Sequence, residues 1–162
     1  MTNVEFVIQM EKDGEKYYKE QAQKNKGNEL ENLFLDLAND EKKHAEIIEN
    51  WAKKNIYDLK ESEIIKKFTN VFKNKDEIKS NIRFKPEQLE IYQFALKIEN
   101  ESIDLYGKML KEANDDLEKR LFEFLISEEN RHKEIFENLI DHVRKAEEWV
   151  ESAEFGIRKD KY

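Results

Sequence analysis

Residues 39–50 read NDEKKHAEIIEN and residues 127–138 read SEENRHKEIFEN. Each stretch contains a Glu-x-x-His, Glu41 with His44 in the first and Glu129 with His132 in the second. Each motif also interrupts a run of apolar residues spaced three and four apart: Leu30, Leu33, Leu37 and Ile48 around the first, Leu121, Leu125, Phe136 and Leu139 around the second. Steps of three, four and seven keep side chains on one face of an α-helix, because a turn takes 3.6 residues. Both motifs therefore point with the apolar stripe, into whatever core the helices build.

The two stretches lie 88 residues apart, and the offset holds well beyond them. Leu33 falls on Leu121, Phe34 on Phe122, Leu37 on Leu125 and Ile47 on Ile135. Upstream, Phe6 falls on Phe94, Glu11 on Glu99, Gly14 on Ser102 and Tyr18 on Tyr106. In both halves a Glu precedes the Glu of the motif by 30 residues, so the duplicated unit is a whole helical hairpin. Glu11 shares a stripe with Val4, Val7, Ile8, Gly14 and Tyr18, and Glu99 shares one with Tyr92, Leu96, Ile103 and Tyr106. Four carboxylates and two imidazoles thus face one interior.

The surrounding pattern supplies four long helices. The first spans about residues 3–25 and stops near Lys26-Gly27, and the second opens on Asn28 as N-cap and reaches about Lys54. A link this short makes them antiparallel neighbours. The third starts with Pro86 at its first position and reaches about Ala113; the fourth follows Asn114-Asp115 and runs to about Trp149. Between the pairs, residues 55–85 hold one candidate short helix, ESEIIKKFTNVFKN, in an otherwise extended crossover. A connection of that length lets the second hairpin lie beside the first in a direction other than up-down-up-down. Residues 150–162, with SAEFGIRKDKY, read as a frayed or docking tail.

Composition agrees with an all-α chain. Of 162 residues 41% are charged, with four glycines and one proline, too few turn residues for a strand-rich fold. The length suits one domain over residues 1–162 with a single core. Acidic residues outnumber basic ones 37 to 29, which speaks against a nucleic-acid groove. The absence of cysteine excludes disulfides, thiol redox chemistry and Cys-ligated zinc or iron–sulfur centres. No apolar run is long enough for a signal sequence or a membrane span, so the expectation is a soluble cytoplasmic protein with no membrane partner.

Burying an unpaired carboxylate is costly, so four of them need protons or cations. Two divalent metals would balance four carboxylates, and a mixed oxygen and imidazole donor set suits iron or manganese better than calcium. Tyr18 and Tyr106, two turns from Glu11 and Glu99, read either as core tyrosines or as hydrogen-bond donors to those carboxylates. Asp40 and Glu128 also superimpose at the 88-residue offset, but they sit about 100° off the stripe and are expected in solvent. His142 has no counterpart and reads as a rim histidine, and Trp51 and Trp149 read as packing residues near helix ends.

The segments MEKDGEKYY (10–18) and IENESIDLY (98–106), each with Glu seven residues before Tyr, together with EKKH and ENRH, resemble the rubrerythrin branch of the ferritin-like superfamily over about residues 3–145. The resemblance implies a ferritin-like four-helix bundle of two duplicated antiparallel hairpins joined by a long crossover. It implies two iron ions, or manganese or a mixed pair, with Glu41 and Glu129 bridging, Glu11 and His44 completing one metal, and Glu99 and His132 the other. It further implies a role in oxidative stress: a non-haem di-iron oxidoreductase that reduces peroxide or oxygen with electrons from a donor such as a rubredoxin or flavoprotein. An amphipathic bundle whose ends carry Trp51 and Trp149 is expected to form a homodimer. Ferritin-like iron oxidation and storage, or metal binding without catalysis, are the alternatives. The chain departs from the family in two respects. It has no cysteines to hold a rubredoxin iron, so electrons must come from another protein. Ser102 stands where rubrerythrins carry an additional Glu on the third helix, and Glu101 is poorly aimed to replace it.

Overall fold

The computed structural model describes residues 3–54, 59 and 88–159, with side chains in the last helix described as far as Glu148. Four helices account for nearly all of these: α1 (Asn3–Lys24), α2 (Glu29–Ala52), α3 (Gln88–Glu112) and α4 (Asp116–Lys159). No strand occurs among the described residues, and none of their helices is long and apolar enough to cross a membrane.

Local chemistry sets the ends. Gly27 adopts φ 88° in the α1–α2 link, a left-handed conformation that costs a glycine nothing. Asn28 then caps α2, its Oδ1 accepting from the Leu30 N–H at 2.8 Å, while the Gly27 N–H donates to Glu31 at 2.6 Å. At the start of α4, Asp115 accepts from the Glu118 N–H at 2.7 Å and Glu118 reaches back to the Asn114 N–H at 3.4 Å, a reciprocal cap.

Helix directions follow from contacts between the hairpins. Gln88 bonds Asn25 near one end of the α1–α3 seam and Tyr106 bonds Glu11 near the other, so α1 and α3 are antiparallel. Asp40 meets His132 and Trp51 meets Phe122, so α2 and α4 are antiparallel as well. With each hairpin antiparallel internally, the order is up-down-down-up, the departure from up-down-up-down that the long crossover permits.

The core divides into two apolar clusters. One contains Tyr18, Phe34, Leu37, Tyr92, Phe136 and Leu139; the other contains Val7, Ile48, Tyr106, Leu121, Phe122 and Leu125. Burying each of these aliphatic side chains contributes about 1.5–3 kcal/mol. The buried charged groups of the repeat occupy the layer between them.

Some boundaries differ from expectation. On α3 the fully buried seam is Tyr92, Ala95, Glu99, Ser102, Tyr106 and Met109, while Leu96, Ile103 and Leu110 are half-buried flanks. α4 continues past Trp149 to Lys159, so helical backbone replaces most of the expected tail. Pro86, the crossover apart from residue 59, the side chain of Trp149 and residues 160–162 lie outside the described residues. Leu59 packs against the second cluster.

Candidate metal centre

The layer between the clusters holds Glu11 from α1, Glu41 and His44 from α2, Glu99 from α3, and Glu129 and His132 from α4. None is more than 4% exposed. They form two overlapping groups, Glu11–Glu41–His44–Glu129 and Glu41–Glu99–Glu129–His132, in each of which one donor atom per residue lies within 4.8 Å of all the others. Glu41 and Glu129 belong to both groups, as bridging carboxylates would.

Both imidazoles turn Nδ1 inward. His44 Nδ1 is 3.1 Å from Glu129 Oε1 and 3.5 Å from Glu11 Oε2. His132 Nδ1 is 3.2 Å from Glu41 Oε1, 3.4 Å from Glu99 Oε1 and 3.5 Å from Glu129 Oε2. The two rings lie 5.9 Å apart and 25° from parallel, related by the sequence repeat. Gly14 lies against the cluster: a Cβ there would meet Glu41 Oε2 at 3.4 Å, an ordinary contact.

The outward nitrogens correct one expectation. Asp40 and Glu128 are not in solvent but 3% exposed each. Asp40 Oδ2 is 2.9 Å from His132 Nε2, and Glu128 Oε1 is 3.4 Å from His44 Nε2. A residue 100° off the core stripe of α2 lies on the flank turned toward α4, and the reverse holds for α4, so each acid reaches the imidazole of the other hairpin. One signal for them was present in the sequence: a buried imidazole whose Nδ1 is committed needs an acceptor for its other N–H, and an acidic residue precedes both motif glutamates.

The tyrosines cross between the hairpins in the same symmetric manner. Tyr18 donates its hydroxyl to Glu99, and Tyr106 donates to Glu11. Ser102 turns away from the cluster, its hydroxyl donating to the Ile98 carbonyl at 3.0 Å with the Met10 sulfur at 3.6 Å, and Glu101 is exposed. His142 is half-buried, and Trp51 packs edge-on against Phe122 at 5.7 Å.

Charge in the cluster is sorted by position. Burial raises the pKa of Glu41 and Glu129 well above the usual range, and the neighbouring carboxylates push them further in the same direction. Burial also opposes ionisation of Glu11, but hydrogen bonds with Glu41, His44 and Tyr106 and the charge of His44 outweigh it and hold Glu11 at about 2. Glu99 is lowered for the same reasons by His132, Glu129 and Tyr18. Both imidazoles resist burial and are raised well above their usual value, His44 chiefly by Glu11 and His132 chiefly by Glu99. Without metal, then, the surroundings favour the ionised form of Glu11 and Glu99 and the protonated form of Glu41, Glu129 and both imidazoles.

Protons do not satisfy the whole cluster. Glu11 Oε2, Glu41 Oε1, Glu99 Oε2, Glu129 Oε2 and His132 Nδ1 are buried without a hydrogen-bond partner among the described residues, and all five belong to the two groups. Unpartnered oxygens and a nitrogen directed at common points suit divalent cations with mixed oxygen and imidazole coordination.

No curated protein and no solved structure matches the chain. The family model described as Rubrerythrin matches residues 2–140, a range that contains the first hairpin, α3, the first part of α4 and all six residues of the cluster. With the helices, the duplicated Glu-x-x-His and the shared carboxylates in agreement, the chain belongs to the rubrerythrin family.

Proposed function

We propose that the chain is a non-haem di-iron oxidoreductase that reduces peroxide with electrons from a separate donor protein. The observation that carries this reading is the pair of four-residue groups sharing Glu41 and Glu129 inside a layer closed to solvent. Glu11 and His44 would complete one iron, and Glu99 and His132 the other. Two iron ions, when bound, supply one electron each to cleavage of the O–O bond.

The remaining tasks fall to side chains of this chain. Asp40 and Glu128 accept from the outer imidazole nitrogens and keep Nδ1 aimed inward. Tyr18 and Tyr106 hold hydroxyl protons at Glu99 and Glu11, which limits rotation of the terminal carboxylates and keeps a proton next to each. The apolar clusters on either side exclude bulk water and favour a small oxidant over a large organic substrate. Because every candidate ligand is buried, a rubredoxin-like or flavoprotein donor must pass its electrons through the protein rather than by touching the site.

Anaerobic loading with Fe(II) followed by stopped-flow mixing tests the reading. The expected outcome is an absorbance change with peroxide that is faster than with oxygen. No change, or a faster reaction with oxygen, overturns the peroxidase assignment. A cage-sized species by sedimentation, with iron accumulating beyond two per chain, would point instead to iron storage.

A further inference from the structure

Tyr18 has a second tyrosine against it. Its hydroxyl donates to Glu99 in the metal layer, and its ring lies 5.6 Å from that of Tyr17, edge-on at 61°. Tyr18 is fully buried, whereas Tyr17, one residue back along α1, is half-buried on the flank turned toward α3. The Tyr17 hydroxyl donates to the Ile91 carbonyl at 3.4 Å, and its ring meets Phe94, itself 50% exposed, at 5.1 Å. Contacts with α3 thus hold the Tyr17 ring in place. Glu99, Tyr18 and Tyr17 form a continuous line of contacting groups from the buried layer toward the protein surface.

The repeat does not reproduce this line on the other side. At the 88-residue offset Tyr18 falls on Tyr106, which donates to Glu11, but Tyr17 falls on Leu105. Beside the Tyr106 ring lies Phe122 at 6.1 Å, with Trp51 beyond it, 5.7 Å from Phe122. A phenylalanine ring is far harder to oxidise than a phenol, so Phe122 interrupts the sequence of redox-active groups there. The six candidate ligands and both donor tyrosines are duplicated, and the second phenol is not.

The asymmetry bears on peroxide that arrives after the donor's electrons are spent, and so rests on the peroxidase reading. Peroxide is a two-electron oxidant, and a molecule that reacts at an already oxidised centre takes its electrons from side chains. We infer that Tyr18 and Tyr17 form an outlet for these oxidising equivalents, through which a small phenol or enediol reductant at the surface supports removal of excess peroxide. Tyr18 gives up one electron to the oxidised centre and its phenolic proton to Glu99, the acceptor of its hydrogen bond. Tyr17 then gives one electron to the Tyr18 radical, which recovers its proton from Glu99, and the Tyr17 proton passes to water. A hydrogen atom from the reductant restores Tyr17. Two passes reduce one peroxide to two waters and oxidise one enediol to its diketone, and the two protons released by Tyr17 balance those that peroxide takes up. A phenol readily loses an electron but does not readily accept one, so the line carries oxidising equivalents outward and not the donor protein's electrons inward.

Iron-loaded full chain tests this in two steps. The first adds stoichiometric peroxide and follows iron oxidation by absorbance; the second adds excess peroxide, and the sample is frozen for electron paramagnetic resonance. A tyrosyl radical is expected, narrowed by ring-deuterated tyrosine and lost when ascorbate is present. A nitroso spin trap followed by peptide mass mapping should place the adduct on Tyr17 and not on Tyr106 or Trp51. Tyr17→Phe keeps the ring and should leave the first step unchanged, but its radical should persist in ascorbate because it is confined to Tyr18. Trp51→Phe should alter neither step. Iron oxidation without a radical, a radical that ascorbate quenches equally in Tyr17→Phe, or one that Trp51→Phe removes overturns the outlet alone. Absence of iron oxidation in the first step overturns the peroxidase assignment and this inference with it.

Discussion

Asp40 stands 2.9 Å from Nε2 of His132, and the other ring nitrogen of His132 faces Glu41, Glu99 and Glu129. A carboxylate from α2 therefore aims a donor atom of α4. Removing it should leave a buried N–H without an acceptor and free the ring to turn. Asp40→Ala is expected to weaken metal binding at the position completed by Glu99 and His132 by about 10–100-fold. Competition titration against a chelator measures the effect, and an affinity equal to that of the unsubstituted protein would remove Asp40 from the site. Glu128→Ala should cost less, because its contact with His44 is longer at 3.4 Å.

Metal loading should release protons. Burial and the neighbouring charges favour the protonated form of Glu41, Glu129, His44 and His132 in the metal-free layer, and metal ligation requires those protons to leave. Loading two divalent ions near neutral pH should therefore release about four protons per chain, with affinity rising steeply with pH. Metal titration in a weakly buffered solution with a pH indicator counts them. Release of fewer than two would contradict the charge pattern described here.

The same pattern predicts how stability without metal responds to pH. Glu41, Glu129, His44 and His132 have folded pKa values above their unfolded values of 4.5 and 6.5, so above about pH 6.5 the folded chain binds more protons than the unfolded one. The contribution of the two imidazoles is complete below 6.5 and is lost as pH rises through their folded values, and the raised carboxyls change in the same direction from 4.5 upward. Glu11, held at about 2, acts oppositely: its contribution is present above 4.5 and is lost as pH falls toward 2. The Tm of the metal-free protein should accordingly fall between pH 6.5 and 8.5, whereas that of the metal-loaded protein should not. A metal-free Tm that rises over this interval would refute the assigned protonation states.

Much of this centre was legible in the sequence because helical periodicity alone assigns a side chain to the core stripe. Glu11, Glu41, His44, Glu99, Glu129 and His132 all fall on such stripes, and the 88-residue offset shows them to be two copies of one half-site. Asp40 and Glu128 were misread because periodicity gives an angle around one helix and not the position of the next. A flank of α2 is exposed in an isolated helix and buried once α4 lies beside it. For the same reason the large residues Leu96 and Ile103 suggested the centre of the α3 seam, while Ala95 and Ser102, one position before each, are the buried ones. The end of α4 was missed for a different reason: the apolar stripe fades before Trp149, yet the backbone remains helical to Lys159 without it.

Gly14→Ala should add stability without disturbing metal binding. Alanine favours a helix interior over glycine by about 1 kcal/mol, and its Cβ would meet Glu41 Oε2 at 3.4 Å, an ordinary contact. Gly14→Ala is expected to raise the Tm of the metal-free protein and to leave metal affinity unchanged. Unfolding with and without metal reports both effects, and a lowered affinity would show that Glu41 needs the space beside Gly14.

Deleting single carboxylates should reveal which are shared. Glu11 belongs to one four-residue group, and its loss leaves Glu41, Glu99, Glu129 and His132 intact. Glu11→Ala should therefore retain about one metal per chain, bound in the second group. Glu129 belongs to both groups, so Glu129→Ala leaves neither complete and should retain well under one. Metal analysis after equilibrium loading and gel filtration measures both ratios, with circular dichroism confirming that each variant is folded. Equal losses from the two variants would mean that the groups are not organised around common carboxylates, and the case for a two-metal centre would fail with them.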